Sequence, residues 1–301
     1  MNIEIKDLKK IYGNHINVNE KLSKYSWFNL GGLSEIFFKP NSVDELVSFL
    51  KYFKNKKKIN VIGAGSNTLI RDGIIEGITI KLSPKFSYIN LLKDEIIQVG
   101  AATLDKKLSD FATENSLTGF EFLSCIPGSI GGGIKMNSGC YGEDISKILF
   151  SVETIDMSGK IKVIKNDEIK FFYRGCDLPD NLIILSAKFK GKLSKKESIQ
   201  KKQLELIQRK KNSQPSQIKT CGSTFKNPKD KKAWKLIKDS NCDKLSVGAA
   251  KISDKHCNFF VNTGNATSHD IEELIRKVKK EVFNKTGVNL ELEIKLIGKN
   301  K

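Results

Sequence analysis

The sequence predicts a mixed helix-and-strand fold in two or three packed units, and three observations carry that expectation. The chain has 301 residues, too many for one small core. Helical and strand periodicities alternate from about residue 34 to 115. A lysine-rich helical stretch then separates this region from a second helix-and-strand segment that runs to the C-terminal end.

Taken in order, the elements are expected as follows. Met1 to Lys6 mixes charges with single apolar residues, and it reads as unprocessed and cytoplasmic because no apolar leader run is followed by a small-residue cleavage site. Ser34 to Lys39 reads as a strand stopped by Pro40, and Ser42-Val-Asp-Glu45 is a capping box that opens a helix through Leu46, Leu50 and Phe53. Strands are expected at Ile59–Ile62, Ile78–Leu82 and Glu95–Val99, and a helix at Leu104–Asn115. Between Gly119 and Gly142 periodicity vanishes and seven of the 23 glycines gather, which suggests backbone in close approach to a ligand or another strand. Strands resume at Leu149–Met157 and Leu182–Phe189. Ser194-Lys-Lys-Glu197 opens the lysine-rich helix, which runs to about Lys211. Ile271, Leu274, Ile275, Val278, Val282 and Phe283 form one helical stripe capped by Gly287. The last strand alternates Val288, Leu290, Leu292, Ile294 and Leu296 against Asn289, Glu291, Glu293 and Lys295, so Glu293 points away from the core.

Composition excludes several function classes. No stretch approaches the roughly 20 apolar residues of a membrane span. The six cysteines contain no Cys-x-x-Cys pair and the three histidines no metal-ligand spacing, so reduced thiols and no protein-ligated metal are expected. The net charge of +18 invites a nucleic-acid reading, but only four of the 52 basic residues are arginine, the residue suited to bidentate phosphate and base recognition. Scattered lysines, with short clusters at Lys56 to Lys58 and Lys210-Lys211, read instead as a solvated face that attracts phosphate-bearing small molecules.

Two glycine segments carry the candidate chemistry. Val61-Ile-Gly63-Ala64-Gly65-Ser66-Asn67 follows a strand and offers backbone N–H groups to a pyrophosphate or forms a tight structural turn. It is not a dinucleotide fingerprint, because Thr68 occupies the place of the third glycine and the next residues read as a strand. The second, Phe122 to Gly142, reads by itself as a ligand loop or a glycine-rich corner.

Within it, Ile126-Pro127-Gly128-Ser129-Ile130-Gly131-Gly132, Met136-Asn137-Ser138-Gly139 and Tyr141-Gly142 resemble the flavin-binding signature of the UDP-N-acetylenolpyruvoylglucosamine reductases, also called UDP-N-acetylmuramate dehydrogenases. The resemblance continues through Asn29-Leu-Gly-Gly32, Tyr173-Arg174, Cys221-Gly-Ser-Thr-Phe-Lys-Asn-Pro228, Lys255-His-Cys-Asn-Phe-Phe-Val-Asn262 and Leu290-Glu-Leu-Glu-Ile294, covering about residues 20 to 298. It implies an α+β fold: an N-terminal segment (1–24), a FAD-binding domain of the vanillyl-alcohol-oxidase type made of two α+β subdomains (25–192), and an α+β substrate-binding domain (193–301). It implies non-covalent FAD held by Gly63, Ala64, Gly65, Ser66, Asn67, Ile126, Pro127, Gly128, Ser129, Gly131, Gly132, Asn137 and Gly139. NADPH is the implied hydride donor and an enolpyruvyl UDP-sugar the substrate, placing the activity in peptidoglycan precursor synthesis. Ser223 matches the family's proton donor, Arg174 its catalytic arginine and Glu293 its catalytic glutamate, with Tyr173, Lys226, Asn227, His256 and Asn258 toward the substrate. Read without the family, Ser223 is a turn hydroxyl, Arg174 a strand-end surface cation and Glu293 the outer face of the last strand.

Three departures stand out: Leu33-Ser34, Gly175-Cys176 beside Arg174, and Asn241-Cys-Asp243. The 49 positions from Arg174 to Ser223 (223 − 174) match the shorter subtype that lacks a tyrosine-bearing insertion. The runner-up enzyme is another non-covalent FAD oxidoreductase of the same cofactor fold; many enzymes of that fold attach flavin covalently through histidine, and neither glycine segment contains one.

Overall fold

The computed structural model describes residues 5–53 and 57–300; residues 1–4 of the N-terminal reading and Lys56 of the lysine cluster lie outside the described residues. The chain falls into two compact units, one of Met1–Val18, Ile36–Ala64 and Gly77–Lys210, the other of Asn19–Glu35, Gly65–Glu76 and Lys211–Lys301. The segments interleave, so the expected boundary at 192/193 falls inside the first unit. The reason lies in the helix Lys196–Ser213: Ile199 is fully buried, and Gln203 Nε2 donates to Ser109 Oγ (3.1 Å) and Asp110 Oδ1 (2.9 Å).

The first unit holds two apolar cores. One lies with an antiparallel sheet whose strands run in the order Ile161–Lys165, Leu149–Ile155, Ile183–Lys190, Ile96–Gly100 and Ile89–Leu91. Ile183–Lys190 is central and buried along almost its whole length, whereas the edge strand Ile161–Lys165 is mostly exposed and carries lysines, the composition that discourages edge-to-edge pairing. The other core centres on the helix Val43–Phe53, where Phe49 stacks on Phe38 at 3.8 Å and Tyr12 meets both rings edge-on at 5.3 Å. Tyr12 brings the N-terminal helix Ile5–Tyr12 into that core, although the sequence assigned those residues only to a terminal segment. Ser42 Oγ accepts from the Glu45 N–H (3.1 Å) as the capping box requires, but the Glu45 carboxylate returns to the Asn41 N–H (2.7 Å).

In the second unit the helix Ser268–Thr286 opens on a Thr267/Asp270 capping box and ends at Gly287 with φ 68°. Its stripe buries Ile271, Leu274, Ile275, Val278 and Val282, but Phe283 is 55% exposed. Phe283 follows Ile271 by twelve positions, which turns it about 120° off the stripe. The final strand is also shorter than expected: only Lys295–Ile297 pairs regularly, in parallel with Thr68–Ile70. The alternation nevertheless holds, with Leu290 and Ile294 buried and Asn289, Glu291 and Lys295 exposed. Thr68–Ile70 is itself anchored just beyond its end, where Arg71 donates two bonds of 2.8 Å to Glu272 and Asp72 accepts from the Ser268 N–H and Oγ.

Candidate active site

The two glycine segments meet in the first unit. A Cβ on Gly63 would stand 2.6 Å from Ser129 Oγ and 4.0 Å from Gly132 Cα. Gly63 and Gly132 are exposed while Ser129 is buried, so two side-chain-free stretches of backbone face solvent around one hydroxyl. Ser129 precedes the helix Ile130–Lys135, and its hydroxyl makes no capping bond to that helix. This short helix was not foreseen; the sequence read the glycine run as aperiodic, because Gly131, Gly132 and Gly133 hide its apolar positions. The run is fastened to residues 101–105 by N–H bonds from Asp105 to Gly128 O (3.1 Å), Ile130 to Thr103 O (2.9 Å) and Gly131 to Ala101 O (3.0 Å). Ile126 is half-buried against the first core and Pro127 is exposed.

Lys81 donates to the Gly63 carbonyl, and its pKa is lowered by burial and by the charge of Lys39. A cation thus supports the turn from a position that the sequence did not single out; its one signal is a lysine directly after a strand. Ala64 is half-buried in the same turn.

Arg174 sits at the tip of a two-residue hairpin between Phe171–Phe172 and Gly175–Cys176. Its φ is 61°, a left-handed conformation that costs a non-glycine residue about 1–2 kcal/mol, and such residues cluster at functional sites. Its guanidinium lies 5.0 Å from the Tyr173 ring, which is itself about half exposed. The Gly175 departure now has a reason: a Cβ there would reach 2.2 Å from the Phe172 ring. Asn137, with φ 40°, links this hairpin to the glycine segment, since its Nδ2 donates to Phe172 O (3.2 Å) and its Oδ1 accepts from the Ser146 N–H (3.1 Å). Gly139 lies in the following hairpin, where a Cβ would meet Glu143 O at 2.2 Å.

In the second unit, Ser223, half-buried, forms a β-bridge with Phe259, and Phe225 forms one with Leu292. The Glu293 N–H then donates to Thr224 O (2.9 Å), while Asn67 Nδ2 donates to Glu293 O (3.1 Å). Ser223 and Glu293 are thereby held on adjacent extended segments, and Asn67 clamps the second of them. Gly65, with φ 73°, could carry no side chain, because a Cβ would fall 1.8 Å from Tyr25 O; Ser66 between these residues is half-buried.

The expected substrate residues divide by what they touch. Asn258 is buried and spends its amide on Phe225, accepting from its N–H (3.0 Å) and donating to its carbonyl (2.8 Å). It fixes the Ser223–Phe225 stretch. His256 Nδ1 accepts from the Asn258 N–H (3.2 Å), its ring packs edge-on against Phe259, and burial lowers its pKa. Asn227 Oδ1 accepts from the Ala233 N–H (3.0 Å) at the start of the helix Ala233–Asp239. Lys226 Nζ lies 3.5 Å from the exposed Glu291 carboxylate, a pair of little energetic weight.

A family model described as "UDP-N-acetylenolpyruvoylglucosamine reductase, C-terminal domain" matches residues 214–297, and one described as "FAD binding domain" matches residues 34–165. The UDP-N-acetylenolpyruvoylglucosamine reductase of Pelagibacter ubique is 49% identical over 297 residues, covering 98% of both chains. The chain belongs to that family. The enzyme of the same name from Rickettsia bellii is 45% identical over 278 residues, covering 92% of both chains. The crystal structure of the reductase from Thermus caldophilus superposes with a TM-score of 0.83 at 31% identity, covering 94% of this chain and 98% of that one.

With membership in place, the residues can be tested against FAD. Exposed glycine backbone at Gly63 and Gly132, a hydroxyl between them and a lysine on the turn suit a pyrophosphate, and the side chain that would close this gap is absent at both glycines. The fit holds. Among the described residues no helix is long and apolar enough to cross a membrane.

Proposed function

We propose that this chain is the NADPH-dependent, FAD-containing reductase that converts UDP-N-acetylglucosamine enolpyruvate to UDP-N-acetylmuramate. Gly63, Ser129, Gly131 and Gly132, with Lys81 beneath the turn, would hold the cofactor's pyrophosphate non-covalently. FAD held there would supply the hydride chemistry between NADPH and the enolpyruvyl double bond.

The chain's own residues manage the charge and the proton. Arg174, always cationic, stabilises negative charge that develops toward the substrate carboxylate, and Glu293 in its protonated form stabilises the same charge by donating a hydrogen bond. Ser223 Oγ delivers a proton to the carbon next to the reduced one, acting as an acid by position against a strongly basic centre. Six free cysteines accord with a reducing, cytoplasmic setting.

The single observation that supports this reading is the pinned pair of segments bearing Ser223 and Glu293, where the Glu293 N–H bonds to Thr224 O and the Glu293 carbonyl to Asn67 Nδ2. Ser223→Ala should retain flavin reduction by NADPH and lose flavin reoxidation by the enolpyruvyl substrate. Reoxidation at the wild-type rate would refute the assignment of Ser223 as the proton donor, and loss of both half-reactions would mean that the site, not the acid, had been damaged. Mild acid should release the flavin, and flavin that stayed on the chain would favour a different oxidoreductase.

A further inference from the structure

Neither the fold nor the proposed chemistry accounts for the burial of Asp105. It is fully buried, and both carboxyl oxygens lack a hydrogen-bond partner among the described residues. Buried polar groups are almost always satisfied, and an unpartnered carboxyl is costly to retain. Its position is specific. Oδ2 would stand 2.4 Å from a Cβ on Gly128, and Oδ1 and Oδ2 would stand 3.3 Å and 3.7 Å from a Cβ on Gly133. Its own N–H donates to Gly128 O at 3.1 Å. Two glycines of the cofactor segment thus leave room for this carboxyl, and the residues between them present Ser129 and Gly132 to Gly63.

We propose that Asp105 is a positioning residue for the cofactor: an uncharged carboxyl beneath the Gly128–Gly133 backbone that sets the shape of the pyrophosphate turn and loosens its grip on FAD when ionised. This rests on the FAD reading above. Burial pushes the carboxyl up to about 8 and is the sole cause of the shift; no charged side chain contributes. Gly128 and Gly133 lie against it, with Ile145 beside Gly133, and none of these titrates. An ionised Asp105 would set an unsolvated negative charge under the backbone that receives the cofactor's phosphates. By linkage, FAD then binds the protonated form more tightly and raises the carboxyl's pKa further.

The test is a titration of FAD into apoprotein, followed by flavin fluorescence from pH 6.5 to 9.5, with wild type and Asp105→Asn. Asparagine keeps the shape and cannot ionise. Wild-type affinity should fall by about tenfold across this range, the effect of one pK unit of coupling, while the variant should change little. In parallel, infrared difference spectra of the wild type should lose one protonated-carboxyl band as the pH rises, a readout that stands even if the variant does not fold. Binding independent of pH in wild type, an equal pH dependence in Asp105→Asn, or absence of the band would overturn the role of Asp105 alone. Absence of FAD binding at every pH would overturn the cofactor reading and this role with it.

Discussion

Gly63→Ala should damage the protein at a defined place and by a defined amount. The new methyl would sit 2.6 Å from Ser129 Oγ, whereas ordinary contact begins at 3.4 Å, a shortfall of 0.8 Å. Ser129 cannot withdraw easily: it is 5% exposed, its carbonyl accepts from the Gly133 N–H (2.8 Å), and its backbone bridges to Leu104. Overpacking of this kind costs about 1–3 kcal/mol; at about 2 kcal/mol the effect is roughly 30-fold in an equilibrium constant. The loss appears as a lower urea midpoint of the apoprotein if the turn stays closed, or as weaker FAD binding if it opens. Ser129→Ala removes the clashing oxygen and leaves the next atom 4.0 Å away, so Gly63→Ala/Ser129→Ala should recover most of what Gly63→Ala loses beyond Ser129→Ala alone. A Gly63→Ala protein with wild-type stability and FAD affinity, or a double variant that recovers nothing, would refute the meeting of the two glycine segments.

Other variants probe the remaining links. Arg174→Gly should abolish turnover while leaving urea stability within about 1 kcal/mol of wild type, because glycine accepts the left-handed conformation that arginine holds at a cost; wild-type turnover would remove Arg174 from the chemistry. Asn258→Leu should lose about 2–4 kcal/mol by orphaning the buried N–H and C=O of Phe225, and calorimetry should show the lower Tm. Phe49→Ala should lose about 3–5 kcal/mol in urea unfolding by emptying the stacked aromatic core. Asp105, whose folded pKa is raised from 3.8 to about 8, binds an extra proton in the folded state between those values. Stability of wild type relative to Asp105→Asn should therefore fall as pH rises from about 4 to about 8, by up to roughly 1.4 kcal/mol per unit, and level off above; urea midpoints across that range read the slope.

Much of this architecture was legible because periodicity reports burial. The alternation of the last strand and the stripe from Ile271 to Val282 match the buried residues, and the strands at 59–61, 96–100 and 183–190 lie within a residue or two of expectation at most of their ends. Phe283 misled because its hydrophobicity was counted without its spacing, which turns it off the stripe. The helix Ile130–Lys135 was hidden because three glycines carry no periodicity, and the interleaved units were hidden because periodicity is local whereas packing joins distant segments. In the candidate site, motif order pointed to Ser223, Glu293 and Arg174 but not to the residues that support them. The resemblance places Asn258 toward the substrate, but a motif does not show that its amide is bonded to the Phe225 backbone. Asp105 drew no reading of its own within the expected helix Leu104–Asn115, and only the three-dimensional contact with Gly128 and Gly133 sets it apart.

The most direct test supplies UDP-N-acetylglucosamine enolpyruvate to the purified protein and follows NADPH oxidation under anaerobic conditions, which removes the background reaction with oxygen. Stimulation over the substrate-free rate, with UDP-N-acetylmuramate formed in equal amount to NADPH consumed, is the predicted result. A flavin-loaded protein whose NADPH oxidation does not respond to this substrate would contradict the account.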